Sequence, residues 1–352
     1  MSEAGCLPFK LLLTQRLAQL TTRLTEKDPN IADLPVTRRV NDILLECTDT
    51  ELPKICNVQR KTDREWYISK PQICHELKEN IKAGTSSTIV RPMFQSLISN
   101  HYPNHKQIYT DGSKDGDEVG AGITDTHEKR CFSLPNYCSV YSAEAFAIKA
   151  AVTMVHEQEE AIILTDSASC LDALLSGKSK HPWIQSIERD LLKRKITLCW
   201  IPGHAGIPGN EEADFLANQG RKCTVLNIPV PSVDVIRGIK TKIWTTWEQT
   251  WHRTQAELRK IKEKPYKFND RKCASEQRTL TRLRTGHTRP THVHLIEKAP
   301  PPTCQYCGVQ LTVQHILIDC RGLEEKRKKY GINGTLTEIL ANDDAKEKAV
   351  LE

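Results

Sequence analysis

The amino-acid sequence predicts an α/β protein in which a mixed sheet with flanking helices lies between mostly helical N- and C-terminal regions. Two observations predict it. From Gln107 short β-patterns follow one another and then alternate with helical ones as far as Arg221, the order expected of a mixed sheet with helices packed on it. On either side the apolar residues recur at helical spacing instead, and a cysteine–histidine cluster closes the C-terminal part. The expected divisions are a helical connecting segment at 1–104, an α/β domain at 105–221, a basic helical region at 222–299, a small metal-binding unit at 300–325 and a charged tail at 326–352.

In chain order, Leu13, Leu17, Leu20 and Leu24 suggest an amphipathic helix ending before Pro29, and shorter helical patterns follow, separated by Pro35, Pro53, Pro71 and Pro92. Ile108 to Thr110 reads as a strand running into Asp111-Gly112-Ser113. Val119 to Thr124 and Arg130 to Leu134 read as two more. A helix follows with Ser142 as the expected N-cap and Glu144 in its first turn. Ala161 to Leu164 is an unbroken apolar run, the pattern of a strand buried on both faces, and it ends at Thr165-Asp166-Ser167. Helices are expected from about Ser169 to Leu175 and from Trp183 to Arg194, then a strand from Ile196 to Ile201.

The stretch LCWIPGHAGIPGNEEADFL, from Leu198 to Leu216, organises the rest. Its strand meets a loop punctuated by glycine and proline that carries His204 among Gly203, Gly206 and Gly209. Asn210 reads as the N-cap of a helix whose start carries Glu211, Glu212 and Asp214, where the macrodipole favours negative charge. Beyond Arg221, Ile236, Ile239, Ile243, Trp244, Trp247 and Trp251 form a helical stripe that reads as core in preference to a base-stacking platform.

At 352 residues, 38% hydrophobic and 27% charged, the chain has the composition of ordinary globular protein with ample material for a core. No apolar run approaches the roughly 18–20 residues of a membrane span, and no secretory signal is visible. Thirteen cysteines, odd in number and mostly scattered, suit a reducing compartment better than a disulfide scaffold. The net charge of +6 hides an asymmetry. His105 to Gly220 carries 11 Lys+Arg against 17 Asp+Glu, and Arg221 to Tyr330 carries 23 against 10. An acidic block followed by a basic one suggests a metal-dependent site beside a polyanion-binding surface.

Four carboxylates in the acidic block occupy matched positions. Asp111 and Asp166 end strands and precede small residues, and Glu144 and Asp214 stand near helix starts. Strand ends and adjoining helix starts converge on one crevice in α/β sheets. Four carboxylates there repel one another, and bound divalent cations resolve the repulsion. The donors are hard oxygens, which suit Mg²⁺ or Mn²⁺, and two such ions about 4 Å apart can activate a water and stabilise both attacking and leaving oxygens of a phosphodiester.

YTDGS at 109–113, the AE of SAEAFAIKAA, LTDS at 164–167 and WIPGHAGIPGNEEAD at 200–214 resemble the type 1 ribonuclease H domain, most closely that of jockey-type non-LTR retrotransposons. The resemblance covers roughly residues 105–221. It implies a five-stranded mixed sheet and cleavage of the RNA strand of RNA–DNA hybrids by two-metal-ion catalysis. Asp111, Glu144, Asp166 and Asp214 match the family's metal ligands, His204 its mobile-loop histidine assisting metal or product exit, and Glu211 a nearby acidic residue of similar role. Gly112, Ser113, Tyr141 and Ser167 are the expected hybrid contacts. The asparagine pair of cellular enzymes is replaced by Val140 and Tyr141, so Tyr141 is expected to stack instead. Arg278, Arg282 and Arg284, in the basic region, are expected phosphate contacts.

Cys304, Cys307, His315 and Cys320 read C-x2-C-x7-H-x4-C, the spacing of a small structural zinc site with a short helix carrying the histidine. The segment over about residues 278–321 also resembles the C-terminal CCHC tail of the same retrotransposon polyproteins. His287, His292 and His294 read as a basic face in preference to further ligands. No polymerase signature appears in residues 1–104, so the chain reads as the C-terminal part of a polyprotein, with the polymerase part as a partner. A non-catalytic nucleic-acid-binding relic or host-adopted protein is the alternative, which the intact carboxylates disfavour.

Overall fold

The computed structural model describes residues 7–57, 71–81, 85–254, 257–265, 267–268, 273–341 and 350. The chain divides into two compact units, Leu17–Lys240 and Met1–Arg16 with Thr241–Glu352. In order, α1 (Phe9–Lys27) and α2 (Pro35–Thr48) precede β1 (Gln72–Cys74), α3 (Glu76–Asn80) and α4 (Ser87–His101). The alternating part follows: β2 (Lys106–Asp115), β3 (Glu118–Thr124), β4 (Lys129–Leu134), α5 (Val140–Met154), β5 (Glu160–Thr165), α6 (Ala168–Ser176), α7 (Pro182–Leu191), β6 (Lys195–Trp200) and α8 (Pro208–Gly220). Helix α9 (Ser232–Arg253) comes next, and α10 (Ala274–Thr285), α11 (Arg289–Glu297), α12 (Glu324–Lys329) and α13 (Leu336–Leu340) complete the chain. Among the described residues no helix is long and apolar enough to cross a membrane.

The sheet is mixed, in the order β1-β6-β5-β2-β3-β4, with β1, β6, β5 and β2 parallel and β3 and β4 antiparallel to their neighbours. It has six strands where five were expected. The extra edge strand is β1, three residues long, from the segment expected to be a helical connector. That segment also supplies α4, whose Val90, Phe94, Leu97 and Ile98 share one core with Ile162, Leu164, Cys199, Ala205 and Ile207. Short polar-flanked patterns such as Gln72-Ile73-Cys74 carry too little alternation to be read as strands, and Pro92 lies inside α4 rather than breaking it.

The face of each strand follows from the period of two. Thr110 and Gly112 turn toward α5. Tyr109 turns to the opposite face, where its ring lies 6.4 Å from that of Phe94 on α4, and Asp111 shares that face with its cross-strand partner Gly122. There α8 lies directly on the sheet: a Cβ at Gly122 would stand 2.2 Å from the carbonyl oxygen of Ala213. Gly122 therefore sets how closely α8, and with it Asp214, approaches β2.

Two helix starts and one helix face differ from expectation. α5 begins at Val140, capped by Ser139, whose Oγ accepts from the Ser142 amide at 3.2 Å, so Ser142 is buried inside the helix and Glu144 stands beyond its first turn. α8 begins at Pro208, whose fixed φ suits the first helical position, so Asn210 is a buried helical residue instead of a cap and only Glu211 is acidic in the first turn. In α1 the expected leucine stripe is not the buried face: Leu13, Leu20 and Leu24 are exposed and Leu17 is half-buried, whereas Leu11, Thr14, Ala18, Thr22 and Thr25 are buried, with the Thr22 hydroxyl satisfied by Ala18 O at 2.8 Å.

In the second unit, Trp247, Trp251, Leu258, Ile261, Phe268 and Leu280 are buried, so the tryptophan stripe is core. The segment expected as a charged tail also contributes. α13 starts with a capping box between Thr335 and Glu338 and buries Leu336, Ile339 and Leu340, and Thr337 Oγ1 donates to Lys260 O at 3.1 Å.

Two predictions follow from this packing. Gly122→Ala should destabilise the protein by about 2–3 kcal/mol in urea unfolding, because the clash is with helix backbone that cannot rotate away. A loss under about 0.5 kcal/mol, the range of an ordinary surface substitution, would mean α8 can shift. His181 is buried, its Nε2 within 2.9 Å of Ser142 Oγ, and burial pushes its pKa down from 6.5 to about 4. Between those values the unfolded chain binds the proton and the folded chain does not, so stability falls as pH falls through 6.5. From pH 7 to pH 5 wild type should lose about 2 kcal/mol more than His181→Gln; equal losses would show that His181 is protonated in the fold.

Candidate functional site

Asp166 directly follows the last residue of β5, as expected, but Asp111 does not end its strand: β2 runs on to Asp115 against β3, and Asp111 lies just past Thr110, the last residue of β2 paired in parallel with β5. Glu144 reaches them because Gly112 has no side chain: a Cβ there would stand 2.4 Å from the Glu144 amide nitrogen. Asp214 arrives on α8 by the close approach at Gly122. Sequence-distant carboxylates thus meet because glycines let two helices approach the sheet backbone.

The electrostatics follow. Burial, then the charges of Asp166 and Asp214, push Asp111 up to about 8, although the Gly112 amide opposes the shift. Burial raises Asp166, against the pull of His204 and with the push of Asp214. Burial also raises Glu144, partly offset by a short hydrogen bond from Ser167 Oγ and reinforced by Asp166. Such a set disfavours its own ionisation and favours a bound cation. All its donors are hard oxygens, as Mg²⁺ or Mn²⁺ requires. They do not close into one tight cage, since among the described residues the one group of three or more potential ligand atoms within 4.8 Å of one another is the cysteine–histidine cluster. A more open set suits ions that keep water and substrate phosphate oxygens in their coordination shells.

Two supporting contacts were not read from the sequence. Asn218 Nδ2 donates to Asp214 Oδ1 at 2.9 Å, and Ser113 Oγ donates to Asn218 Oδ1 at 2.7 Å, so a polar chain from β2 orients the carboxylate. The signal was available: Asn218 stands four residues after Asp214, one helical turn away. Glu211 Oε1 accepts from the Gly206 amide at 3.1 Å and ties the histidine loop to α8. His204 itself is exposed and left-handed, with φ 51°. The Trp200 indole donates to Asp166 O at 3.1 Å and braces the end of β5.

Of the expected hybrid contacts, Gly112, Ser113 and Ser167 adjoin the carboxylates, with Ser167 buried and engaged to Glu144. Tyr141 is half-buried, its ring packed edge-on against His181 at 5.3 Å, so part of it is already used inside the fold. Arg278 and Arg282, one turn apart on α10, are exposed. Arg284 is not available to a phosphate. It is fully buried, its Nε donates to Leu340 O at 2.9 Å, and its guanidinium stacks 3.9 Å from the Phe268 ring centroid. Arginine spacing alone cannot distinguish a solvated guanidinium from one that braces a core.

Cys304, Cys307, His315 and Cys320 converge, with Sγ–Sγ distances of 3.6 Å from Cys304 to Cys320 and 4.0 Å from Cys307 to Cys320. Tetrahedral zinc with Zn–S bonds of about 2.3 Å sets its sulfurs about 3.8 Å apart, so the spacing fits. The His315 hydrogen bond, then backbone amides of Tyr306 and Cys307, pull Cys304 down to about 6, toward the thiolate a metal needs. His315 Nε2 is buried without a hydrogen-bond partner. Gly308, at φ 69°, turns the chain back, and its amide donates to Cys304 O at 2.8 Å. One π-type turn, His315–Asp319, carries the histidine.

The RNase H family profile matches residues 103–222, the stretch that contains all four carboxylates and His204. A Pol polyprotein of equine infectious anemia virus (strain Wyoming) is 32% identical over 118 residues, covering 31% of this chain and 10% of the polyprotein. The Pol polyproteins of isolates 1369 and CL22 of that virus match with the same identity and coverage. The chain therefore spans about 10% of the length of the curated relatives it matches.

Proposed function

We propose that the chain hydrolyses the RNA strand of RNA–DNA hybrids, with Asp111, Glu144, Asp166 and Asp214 holding two divalent cations, Mg²⁺ or Mn²⁺. The observation that carries the proposal is the set itself: half-buried carboxylates near enough to feel one another's charge, where burial, then Asp166 and Asp214, push Asp111 up to about 8. The RNase H match over 103–222 supports the same reading. Ions bound there would neutralise the scissile phosphate and lower the pKa of a water nucleophile.

The chain's own residues prepare that chemistry. Ser113 and Asn218 hold Asp214 in one orientation, and the Ser167 hydroxyl holds Glu144. Preorganised ligands avoid a reorganisation cost when substrate arrives. Gly112, Ser113 and part of Tyr141 border the cleft as hybrid contacts, and Arg278 and Arg282 offer charge to phosphates. Zinc at Cys304, Cys307, His315 and Cys320 has a structural part, keeping a short segment folded. In context, we read the chain as the C-terminal part of a jockey-type non-LTR retrotransposon polyprotein, with a polymerase part as partner.

The test is cleavage of a labelled RNA–DNA hybrid by purified protein with Mg²⁺, with duplex DNA as control. Asp166→Asn should lower the rate by at least about a thousandfold while hybrid affinity and unfolding midpoint stay near wild type. Cleavage by that variant at the wild-type rate would remove the assigned site, and a wild-type chain that binds hybrids without cutting them would favour a non-catalytic binder.

His204 has a different expected signature. It is exposed on a loop held to α8 through Gly206 and Glu211, a position from which it can move to assist product exit. His204→Ala should lower the multiple-turnover rate several times more than the single-turnover rate. Equal losses would assign it to bond cleavage.

A further inference from the structure

Two thiols outside the cysteine–histidine unit lie in contact, and nothing in the site accounts for them. Cys131, on β4, and Cys223, just past the end of α8, bring their sulfurs within 3.7 Å of one another. Cys223 is exposed and Cys131 half-buried, so solvent reaches the pair. Other neighbouring thiols differ. Cys74 is the register partner of Cys199 across β1 and β6, but Cys199 is fully buried in the core that α4 shares with the sheet. Cys304, Cys307 and Cys320 converge with His315 as potential metal ligands.

Backbone holds Cys131 and Cys223 in register. Past α8 the chain turns and runs along β4, the edge strand, where Val225 forms a parallel bridge to Ser133 and the Leu226 amide donates to Ser133 O at 2.8 Å. Cys131 and Cys223 stand two residues earlier on each segment, so the same register sets them opposite each other. The end of α8 is fixed as well: a Cβ at Gly220 would stand 2.5 Å from Phe132 O. A disulfide needs its sulfurs about 2.05 Å apart, so the gap left to close is under about 2 Å, within reach of side-chain rotation alone.

We propose that Cys131 and Cys223 form a disulfide when the surrounding thiol–disulfide balance turns oxidising, stapling the chain beyond α8 to the edge of the sheet. The oxidant is a low-molecular-weight disulfide of the glutathione class. Cys223, the exposed thiol, attacks it as the thiolate, releasing one small thiol and leaving a mixed disulfide. Cys131 then loses its proton and attacks Cys223 Sγ, which forms the Cys131–Cys223 bond and expels the second small thiol. Two protein thiols are oxidised and one small disulfide is reduced. Burial, then the neighbouring Cys223 thiol, hold Cys131 above the usual thiol range, which leaves Cys223 to react first. In a reducing compartment the pair stays open. The bond closes a loop from residue 131 to residue 223, long enough to constrain the unfolded chain strongly. Because the native backbone already sets the sulfurs in contact, α8 need not shift to form it.

The test equilibrates the full zinc-loaded chain with reduced or oxidised glutathione and blocks the remaining thiols by alkylation. Linked peptides are then mapped by mass spectrometry, and Tm is recorded. With oxidised glutathione a peptide joining Cys131 to Cys223 should appear, and Tm should rise by roughly 5–15 °C. Excess dithiothreitol should reverse both. Cys223→Ser should match the reduced wild type in Tm and gain nothing from oxidised glutathione, and Cys131→Ser should likewise gain nothing.

Both thiols remaining open to alkylation in excess oxidised glutathione would overturn the proposal, as would glutathione retained on Cys223 without the linked peptide. A linked peptide with no rise in Tm would refute the staple, and a rise that persists in Cys223→Ser would assign it to another pair. If Cys131→Ser fails to fold, Cys223→Ser and Cys223→Ala, at an exposed position, decide alone. Neither readout involves cleavage. Failure here therefore leaves the nuclease reading untouched, and a chain that forms the staple but cuts no hybrid refutes that reading alone.

Discussion

Repulsion among half-buried carboxylates is the constraint on which the larger unit depends. Asp111 feels both Asp166 and Asp214, and Glu144 feels Asp166. No folded chain would assemble such a set without close-packed elements to force it. Here the force comes from two helix-to-sheet approaches, α5 over Gly112 and α8 over Gly122, each too close for any Cβ. The stability of the packed sheet thereby offsets an electrostatic cost that falls on the site. Local conflict of this kind, supported by consistent packing elsewhere, is what functional sites tend to carry.

Much of this was legible in the residues. Asp-Ser after one strand pattern identifies the end of β5, and the stretch from Pro202 to Ile207 is the expected loop, whereas β2 runs on through Asp-Gly-Ser to Asp115. Those signals are local, and they located Asp111, Asp166, His204 and Asp214. The rest depended on tertiary context. Gln72–Cys74 is too short to announce a strand, and it becomes one only because β6 presents an edge with which it pairs in parallel. The leucines of α1 have helical spacing, but the threonines between them point inward. Arg284 has the spacing of a phosphate-binding arginine and is instead held by Leu340 O and Phe268. Helix starts slipped for a related reason: Ser139 and Pro208 compete as start signals with Ser142 and Asn210, and backbone geometry decides between them.

The cysteine–histidine unit solves a different problem. A segment this short buries little apolar surface, with Val313 and Leu317 among its few buried side chains. Four potential ligands converge there, and an ion held by them would substitute for a core. That economy leaves side chains free of packing duties, and Tyr306 is the clearest case. Its ring lies against Gly322 and is largely exposed.

Thermal unfolding as a function of Mg²⁺ tests the central claim most directly. If the carboxylates are held together against their own repulsion, millimolar Mg²⁺ should raise the Tm of the wild-type chain, because a cation that binds only the folded cluster stabilises it by mass action. Asp111→Asn, which removes the ionisable group at the centre of the set, should start from an equal or higher Tm without Mg²⁺ and gain less from adding it. A wild-type Tm that does not move across millimolar Mg²⁺, or an Asp111→Asn chain that gains as much as wild type, would contradict the account.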